Sequence, residues 1–497
     1  MSLKIFAFQA ILCLFIPCIQ AQTPAELQPV DEQSAHNCNS FPLNATREQL
    51  VEEFIQMTNV VMYLHPKVTI LADSNALRQA AESYTHMFTD SMDLEHYHQY
   101  VRNWLVGIGC GHTTSAPSLA WYTYQKEAKQ IIPLDVFISQ NKLWIRAVAD
   151  STQTLQAGME ILSINDIPAS EILRDMRGIQ TNDGINKTGT DFYVEALFRT
   201  YLIFLYGNCS QYDIQCKGPD GNIVKQAILG GLKVTPLKLN PLPGTDTIQT
   251  VDGIANLLYL KEKPTTAILS IHSFGFPDYK RFYKDVFKTI EQDSIQHLII
   301  DIRGNGGGYF PNGNRLLTYL LADDFYFYIS NPKKEKLKDD NLSMNFVSKM
   351  TMVLFNTIPD RDKADPDKNT WVPYSVKKKN HYDGQIYCMT DGGTFSMSSY
   401  VAAMLNEHTQ ATIVGTETGG GANGSQAALS YTYTMPLSGI RIFIPTHKVD
   451  HKVQNALPNR GVMPDMPLSR NITDFINGDD NVLRSLVDTI PDERKEK

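Results

Sequence analysis

The sequence has no excess of basic residues and, beyond its first 21 residues, no long apolar run. It carries 45 Lys and Arg against 53 Asp and Glu, a net charge of −8, which does not provide the basic face that nucleic-acid binding requires. No later stretch reaches about 18 consecutive apolar residues, so we expect no membrane-spanning helix in the mature chain. Internal repeats and low-complexity tracts are also absent. With 497 residues, the chain is long enough for roughly two to four domains.

The first 21 residues are apolar but too short for a membrane-spanning helix with stop-transfer flanks. Lys4 gives a positive start, an apolar run from Ile5 to Ile19 follows, and Ala21 offers a small residue for cleavage. This order predicts a secretory signal peptide over residues 1–21. We therefore expect export to the periplasm or secretion.

Cysteine is scarce, and the common zinc-binding motifs are missing. The chain has 7 cysteines and contains neither a CxxC pair nor HExxH, so we expect no metal ion and no other cofactor. Removal of Cys13 and Cys18 with the signal peptide leaves an odd number of cysteines, which requires at least one free thiol. Cys209 and Cys216 flank a short polar segment, which predicts either a hairpin disulfide or two small buried side chains.

The pattern of apolar residues divides the rest of the chain into three regions. Residues 43–125 contain amphipathic helix candidates, of which the first starts at a capping box formed by Thr46 and Gln49. Residues 130–235 contain short segments rich in β-branched residues, which predict a small β-rich module. Between residues 250 and 480, apolar strands alternate with helical segments, which predicts an α/β fold built on a buried parallel sheet. Such sheets bind ligands beyond the carboxyl ends of their strands.

One serine of the α/β region lies at a turn between an apolar strand and a helix. In TDGGTFSMSSY, Ser396 directly precedes the predicted helix, whose first N–H groups are free to stabilise a developing oxyanion. A serine at this place is a candidate nucleophile if a base takes its proton. The local pattern alone favours a simpler interpretation, in which Ser396 or Thr394 caps the helix. No GxSxG motif is present.

Two further segments contain candidate site residues. In DIRGNGGGYF, which begins at Asp301, consecutive glycines follow a buried strand and form either an anion-binding nest or only a tight turn. The segment lacks the Gly-Lys-Ser/Thr ending of a phosphate-binding loop. The segment GIGCGHTTS places His112 among small residues just after a helix, where it is either a general base or a hydrogen-bonded surface residue.

Six segments taken together resemble the S41 peptidases, the C-terminal-processing or tail-specific protease family. LIIDIRGNGGG resembles the family's D-x-R-x-N-x-G-G strand and loop, TFSMSS its nucleophile turn, and IVGTETGGG its V-G-x-x-T-x-G strand end. AGMEILSIND resembles the core of a PDZ domain, GCGHT the D-G-H-T segment, and RGVMPDMPL the closing G-x-x-P-D strand. The segments follow the family order and cover most of the mature chain.

This resemblance implies a crotonase-like (ClpP/crotonase-type) catalytic core over residues 250–480. It also implies that residues 43–125 are an N-terminal helical domain and that residues 130–235 are an inserted PDZ-like module. The activity implied is that of a serine-type endopeptidase acting on peptides or unfolded proteins.

The resemblance assigns the nucleophile and the oxyanion hole. Ser396 occupies the nucleophile position, and the Met397 amide is expected to donate to the oxyanion. A second amide is expected from the glycine loop, where Gly307 is our choice and Gly306 and Gly308 are the alternatives.

Two branches of the family differ in the group that removes the serine proton. One branch uses a lysine, but its position falls at Gly421 and no lysine is near. The branch typified by the tricorn peptidase uses a histidine from the N-terminal region, and His112 occupies that position. The serine that accompanies this histidine is Gly111 here, and the glutamate before the closing strand is missing. We assign the nearby Glu417 as the orienting acid from its position alone.

Two other functions stay open at this point. Family members of the interphotoreceptor retinoid-binding type use the same core to carry apolar ligands, and the missing lysine and glutamate are compatible with an inactive binding protein for an apolar ligand or a peptide. A scaffold whose residues 130–235 bind partner proteins is the third possibility. The sequence predicts neither the cleavage preference nor the oligomeric state.

Overall fold

A computed structural model of the chain describes residues 38–66, 74–128, 130–149, 154–185, 187–234, 244–330, 337–345, 349 and 369–491. The predicted signal peptide, residues 1–21, lies outside these described residues. Within them, no helix combines the length and the apolar character that a membrane crossing requires.

The N-terminal region is helical, as predicted. Its elements are β1 (Cys38–Asn39), α1 (Arg47–Leu64), α2 (Ser74–Thr85), α3 (Leu94–Val106), β2 (Thr114–Ala116) and α4 (Leu119–Ala128). The capping box at the start of α1 is confirmed: the Thr46 hydroxyl accepts from the Gln49 N–H, and the Gln49 side chain accepts from the Thr46 N–H. Asp93 caps α3 in the same way by accepting from the His96 N–H at 2.8 Å. Local side-chain chemistry thus sets where these two helices begin.

Residues 134–229 form a β-rich module around an antiparallel six-stranded sheet. Its strands are β3 (Leu134–Ser139), β4 (Lys142–Val148), β5 (Glu160–Ile164), β6 (Ile167–Pro168), β8 (Gln211–Lys217) and β9 (Ile223–Leu229). Its other elements are α5 (Ala169–Gly178), α6 (Lys187–Tyr206) and β7 (Asn208–Cys209), which pairs with β1. The predicted β-rich character of this region is therefore present, with two helices added.

Side chains of α6 cover the outer edge of β3. The buried Glu195 accepts from the Ile138 N–H at 2.8 Å, and Arg199 donates to the Leu134 carbonyl at 3.0 Å. Arg470, from the C-terminal part of the chain, binds the other Glu195 oxygen at 3.1 Å. A peptide added as a strand needs these same edge groups, so β3 is closed to strand addition in this conformation.

The α/β fold class predicted for the C-terminal region is confirmed. The main sheet contains β10 (Thr245–Val251), β11 (Ala255–Leu260), β12 (Lys263–Ile271), β13 (His297–Asp301), β17 (Gln385–Thr390), β18 (Thr412–Gly415) and β21 (Met466–Pro467), in the order β10-β11-β12-β13-β17-β18-β21. The strands from β12 onward are parallel. In β13, Leu298 and Ile300 pack on one side of the sheet and Ile299 on the other. Burial on both faces explains why this strand is continuously apolar.

Helices pack around this sheet, and a second sheet lies beside it. The helices are α7 (Tyr279–Gln292), α8 (Phe310–Leu317), α9 (Met397–His408), α10 (Ile472–Ile476) and α11 (Asn481–Thr489). The second sheet contains β14 (Phe325–Ser330), β15 (Leu342–Ser343), β16 (Asn369–Tyr374), β19 (Gly424–Thr434) and β20 (Arg441–Asp450). Strand β2 of the N-terminal region pairs antiparallel with β20, Ser115 lying opposite Ile442. This pairing joins the front of the chain to the α/β region.

The helical region and the β-rich module share one hydrophobic core. A single cluster of buried residues includes Trp104 of α3, Ile145 of β4 and Phe198 of α6. It continues into the α/β region through Phe395 and through Ile442 of β20. The predicted regions 43–125 and 130–235 are therefore packed together through apolar contacts.

Cys209 forms a disulfide with Cys38 and not with Cys216. Cys38 and Cys209 face each other in the β1–β7 pair, with their Cα atoms 4.0 Å apart. Cys216 lies in β8 as a buried free thiol. Of the two alternatives left open by the sequence, the hairpin disulfide is therefore wrong, because the partner of Cys209 comes from a strand 171 residues earlier.

Candidate active site

Ser396 stands at the turn that joins β17 to α9. Its backbone has φ 54° and ψ −120°, a positive-φ conformation that costs a non-glycine residue about 1–3 kcal/mol and that is concentrated at functional sites. The hydroxyl makes no capping hydrogen bond to α9 and lies 3.2 Å from His112 Nε2. Thr394 does not cap the helix either, because its hydroxyl donates to the Ile302 carbonyl at 3.0 Å. The capping interpretation favoured by the local pattern is therefore wrong for both side chains.

His112 lies in the loop between α3 and β2, and its position depends on long-range contacts. The pairing of β2 with β20 places this loop beside the nucleophile turn. Two side chains of α3 hold β2 from behind: His98 Nε2 lies 2.7 Å from the Ser115 hydroxyl, and Arg102 donates to the Ser115 carbonyl at 3.1 Å. The His112 ring also packs against the Phe395 ring, with centroids 5.0 Å apart.

The environment of His112 favours the neutral imidazole. Burial lowers the pKa of His112 to about 4, an effect that the charge of Cys110 opposes. At pH 7 the ring is therefore neutral, and Nε2 can accept a proton when Nδ1 carries the ring hydrogen. The buried Nδ1 atom has no hydrogen-bond partner among the residues that the structure describes. No hydrogen bond from these residues therefore selects the tautomer that carries its hydrogen on Nδ1. Leaving this N–H buried and unpaired costs about 1–3 kcal/mol.

The structure does not bring Glu417 to His112. The Glu417 carboxylate accepts from Arg460 Nε at 2.8 Å and from Arg460 Nη2 at 2.5 Å. It also accepts from the Gly461 N–H at 2.8 Å. The carboxylate thus anchors the segment that precedes the closing strand, and its predicted role as the orienting acid gains no support from this geometry.

The glycine loop packs directly against the nucleophile turn. Gly307 has φ 103°, and a Cβ atom built on it would lie 2.8 Å from Ser396 Cβ and 2.9 Å from the Met397 nitrogen. Glycine is therefore needed here for both its conformation and the close approach of the turn. The Gly307 N–H donates to Asn305 Oδ1 at 2.9 Å, so this amide is already engaged.

The Gly308 amide is better placed than the Gly307 amide to serve as an oxyanion donor. The Phe274 N–H donates to the Gly307 carbonyl at 2.9 Å, and the Tyr309 N–H donates to the Phe274 carbonyl at 3.2 Å. These two bonds form a parallel β-bridge between Phe274 and Gly308, in which the N–H of Gly308 points away from Phe274. Gly308 is exposed, whereas Gly307 is buried. Gly308, one of the alternatives kept from the sequence, is thus the stronger candidate.

The Met397 amide lies at the start of α9, directly after Ser396. It belongs to the first residue of α9, where backbone N–H groups have no acceptor within the helix. The helix dipole also favours negative charge at this end. Ser396, His112, Met397 and the glycine loop are therefore brought together by the fold, and Glu417 is not.

Helix α6 covers the back of the nucleophile turn. A Cβ atom on Gly392 would lie 2.0 Å from the Thr188 carbonyl oxygen, and one on Gly393 would lie 2.4 Å from the Phe192 ring. These two glycines therefore make room for a packed helix. We did not predict α6 from the sequence, although buried residues repeat along it at helical spacing: Val194, Phe198, Tyr201, Leu202 and Leu205.

The part of the chain that holds the glycine loop and the nucleophile turn matches a known family. The model of peptidase family S41 matches residues 265–468. This segment contains Ser396, Met397 and the glycine loop, whereas His112 lies outside it. No curated protein matches the sequence.

Solved structures with a similar fold include mature CPAF, which is 13% identical and has a TM-score of 0.63, over 89% of this chain and 96% of that chain. Mature CPAF complexed with lactacystin is 14% identical, with a TM-score of 0.62 over 89% of this chain and 97% of that chain. The photosystem II D1 C-terminal processing protease is 15% identical, with a TM-score of 0.39 over 86% of this chain and 94% of that chain. At these identities, the similarity to the two CPAF structures concerns the fold.

Proposed function

We propose that the chain is a serine-type endopeptidase with Ser396 as nucleophile and His112 as general base, since residues 265–468 match the model of peptidase family S41. The observation that carries this proposal is the 3.2 Å distance between Ser396 Oγ and His112 Nε2, which joins residues 284 positions apart. The distance is at the edge of the hydrogen-bonding range expected for a nucleophile and its base without substrate.

The proposed reaction begins when neutral His112 accepts the hydroxyl proton of Ser396 at Nε2. The Ser396 oxygen attacks the scissile carbonyl carbon, and the carbonyl oxygen becomes an anion that the amides of Met397 and Gly308 stabilise. The imidazolium then gives its proton to the leaving amine, and Ser396 is left acylated. Attack by water, with His112 again as base, releases the second product and the free serine.

The low pKa of His112 affects this reaction in two ways. It keeps the base in its neutral form across the neutral pH range, but it also makes the imidazolium costly to form. The oxyanion that develops beside Ser396 offsets part of this cost, because its negative charge attracts the imidazolium. Preorganised oxyanion donors are therefore especially important in this site.

We propose that the α/β region is a crotonase-like catalytic core and that the β-rich region is a PDZ-like module, as the sequence resemblance implies. In the core, the glycine loop and the nucleophile turn follow neighbouring parallel strands, β13 and β17, at their carboxyl ends. In the module, the covered edge of β3 opposes the idea that substrate is captured there by strand addition. We infer that peptides or unfolded proteins reach Ser396 directly, while the module supports the nucleophile turn through α6.

The disulfide between Cys38 and Cys209 supports export of the protein. Disulfides persist in oxidising compartments and are rare in the cytosol. We propose that the chain acts in the periplasm or outside the cell, in agreement with the signal peptide predicted over residues 1–21.

Hydrolysis of casein and of a fluorogenic peptide library tests the proposed activity. Ser396→Ala should abolish cleavage, and His112→Ala should lower kcat by roughly 10³-fold or more, since a triad base supplies an effect of that size. Ser330→Ala is a matched control, because this buried hydroxyl lies in the second sheet, where it accepts from the Lys448 N–H at 2.9 Å. Casein cleavage by Ser396→Ala at the parental rate would refute the assignment. An inactive parent that binds apolar fluorophores would instead support the non-catalytic binding protein.

A further inference from the structure

Asn305 is fully buried at the centre of the glycine loop, and all of its polar groups are bonded. Its side-chain Nδ2 donates to the Ile271 carbonyl at 2.9 Å, and its Oδ1 accepts from the Gly307 N–H at 2.9 Å. Its own N–H donates to the Ile302 carbonyl at 3.2 Å, and its carbonyl accepts from the Phe395 N–H at 3.0 Å. Asn305 therefore connects the ends of β12 and β13, the glycine loop and the nucleophile turn.

Asn305 and Phe274 together fix the two peptide planes that flank Gly307. Asn305 Oδ1 accepts from the Gly307 N–H and so holds the peptide plane before Gly307. The Phe274 N–H donates to the Gly307 carbonyl and so holds the peptide plane after Gly307. In a planar trans peptide the carbonyl and the following N–H point in opposite directions. The Gly308 N–H is thereby aimed away from Phe274. Since glycine rotates freely about its backbone bonds, this aim depends on both anchors.

The same residue also ties this oxyanion donor to the nucleophile. Phe395, which donates to the Asn305 carbonyl, directly precedes Ser396. The turn and the loop are in close contact, with only 2.8 Å between Ser396 Cβ and the position that a Cβ atom on Gly307 would take. A shift of Asn305 would therefore change the position of Ser396 relative to the Gly308 amide.

We propose that Asn305 is a positioning residue of the reaction: it holds the Gly308 N–H in register with Ser396 for oxyanion binding and does not itself touch the substrate. The proposal rests on the proposed peptidase function and adds a residue that acts through two others. A purely structural role for Asn305 predicts a loss of stability without a selective loss of oxyanion binding. The two roles are distinguished by comparing binding of a tetrahedral analogue with binding of an uncleaved peptide.

The experiment uses the full chain with Asn305→Ala, and Asn208→Ala is the matched control. Asn208 is also fully buried, and its side chain donates to Gln125 at 2.6 Å in a different region of the molecule. We expect Asn305→Ala to lower kcat by roughly 10-fold to 100-fold with KM changed less than about 3-fold. Its affinity for a peptide boronic acid should fall by the same factor as kcat/KM, while binding of the matching uncleaved peptide stays unchanged. Asn208→Ala should leave the ratio of these two affinities at the parental value.

Asn305→Asp provides a second variant that preserves the shape of the side chain. Its ionised carboxylate can still accept from the Gly307 N–H, but it repels the Ile271 carbonyl, whereas the protonated acid can donate to that carbonyl. The rate of Asn305→Asp relative to the parent should therefore rise as pH falls from about 8 to about 5, since His112 stays neutral over this range.

The outcomes separate this proposal from the proposed function. A parent that cleaves peptides and an Asn305→Ala variant that keeps full boronic-acid affinity would overturn the role of Asn305 alone. An equal loss of both affinities in a folded Asn305→Ala variant would also overturn it. A folded parent that neither cleaves peptides nor binds the boronic acid would overturn both.

Discussion

The depressed pKa of His112 makes the stability of the protein depend on pH in a way that one substitution can isolate. Burial lowers this pKa from 6.5 to about 4. Below pH 6.5 the unfolded chain binds a proton at this histidine that the folded chain does not bind until about pH 4. Folding therefore loses stability as the pH falls through this window and regains it as the pH rises. The protonation cost to folding is small at pH 7 and about 2 kcal/mol at pH 5.

His112→Gln removes this titration, so we compare its free energy of unfolding with that of the parent by urea denaturation at pH 7 and pH 5. The stability advantage of the parent over His112→Gln should be smaller by about 2 kcal/mol at pH 5 than at pH 7. Other buried groups titrate in both proteins, and their contributions cancel in the difference. His86→Gln, at an exposed position of the helical region, controls for removal of a histidine.

The same pKa determines the acid limb of the pH–rate profile. If His112 is the base, kcat/KM for a fluorogenic peptide should stay level from about pH 8 to about pH 5 and fall only as the pH approaches about 4. Stability measured at each pH separates this limb from unfolding. An acid limb near pH 6.5, together with no pH-dependent difference between the parent and His112→Gln, would refute the reasoning.

Three further substitutions test other parts of the structure. Glu417→Gln should lower the free energy of unfolding, measured in urea, by about 2 kcal/mol, because it weakens the ion pair with Arg460. The acid limb of the kcat/KM profile should not move. A shifted limb would show that Glu417 acts on the base. Cys38→Ser should lower the free energy of unfolding by about 2–5 kcal/mol, and the stability of this variant should no longer depend on reducing agent. A parent whose stability is insensitive to reducing agent would contradict the disulfide. Gly392→Ala places a methyl group 2.0 Å from a backbone oxygen of α6. The free energy of unfolding should therefore fall by more than about 2 kcal/mol, which a clearly lower melting temperature would report. Gly178→Ala has no heavy atom closer than 3.9 Å to the new carbon and is the control; equal melting temperatures would refute the packing of α6 on the turn.

Elements governed by local chemistry were predictable from the sequence. The capping box of Thr46 and Gln49 sets the start of α1, and the alternation of apolar strands and helices predicted the parallel sheet from β12 to β18. Ser396, His112 and Met397 were predicted as site residues from segment resemblance, and the fold brings them together. Their contact crosses 284 positions, a separation over which propensity and periodicity carry no information.

The predictions that the structure changed depend on contacts between distant segments. Cys209 pairs with Cys38 because β1 and β7 meet, and the spacing of cysteines does not determine connectivity. Glu417 was assigned by nearness in the sequence, but the side chain is bound by Arg460. The choice among the loop glycines depends on the orientation of the two peptide planes that flank Gly307, which hydrogen bonds to Asn305 and Phe274 anchor and which no sequence pattern describes.

Labelling with a fluorophosphonate, followed by peptide mapping of the adduct, tests most directly whether Ser396 is a nucleophile activated by His112. The proposed mechanism predicts one adduct per chain on Ser396 in the parent protein. It also predicts much slower labelling in His112→Ala and no labelling in Ser396→Ala. A folded parent without an adduct, or with its adduct on another serine, would contradict it.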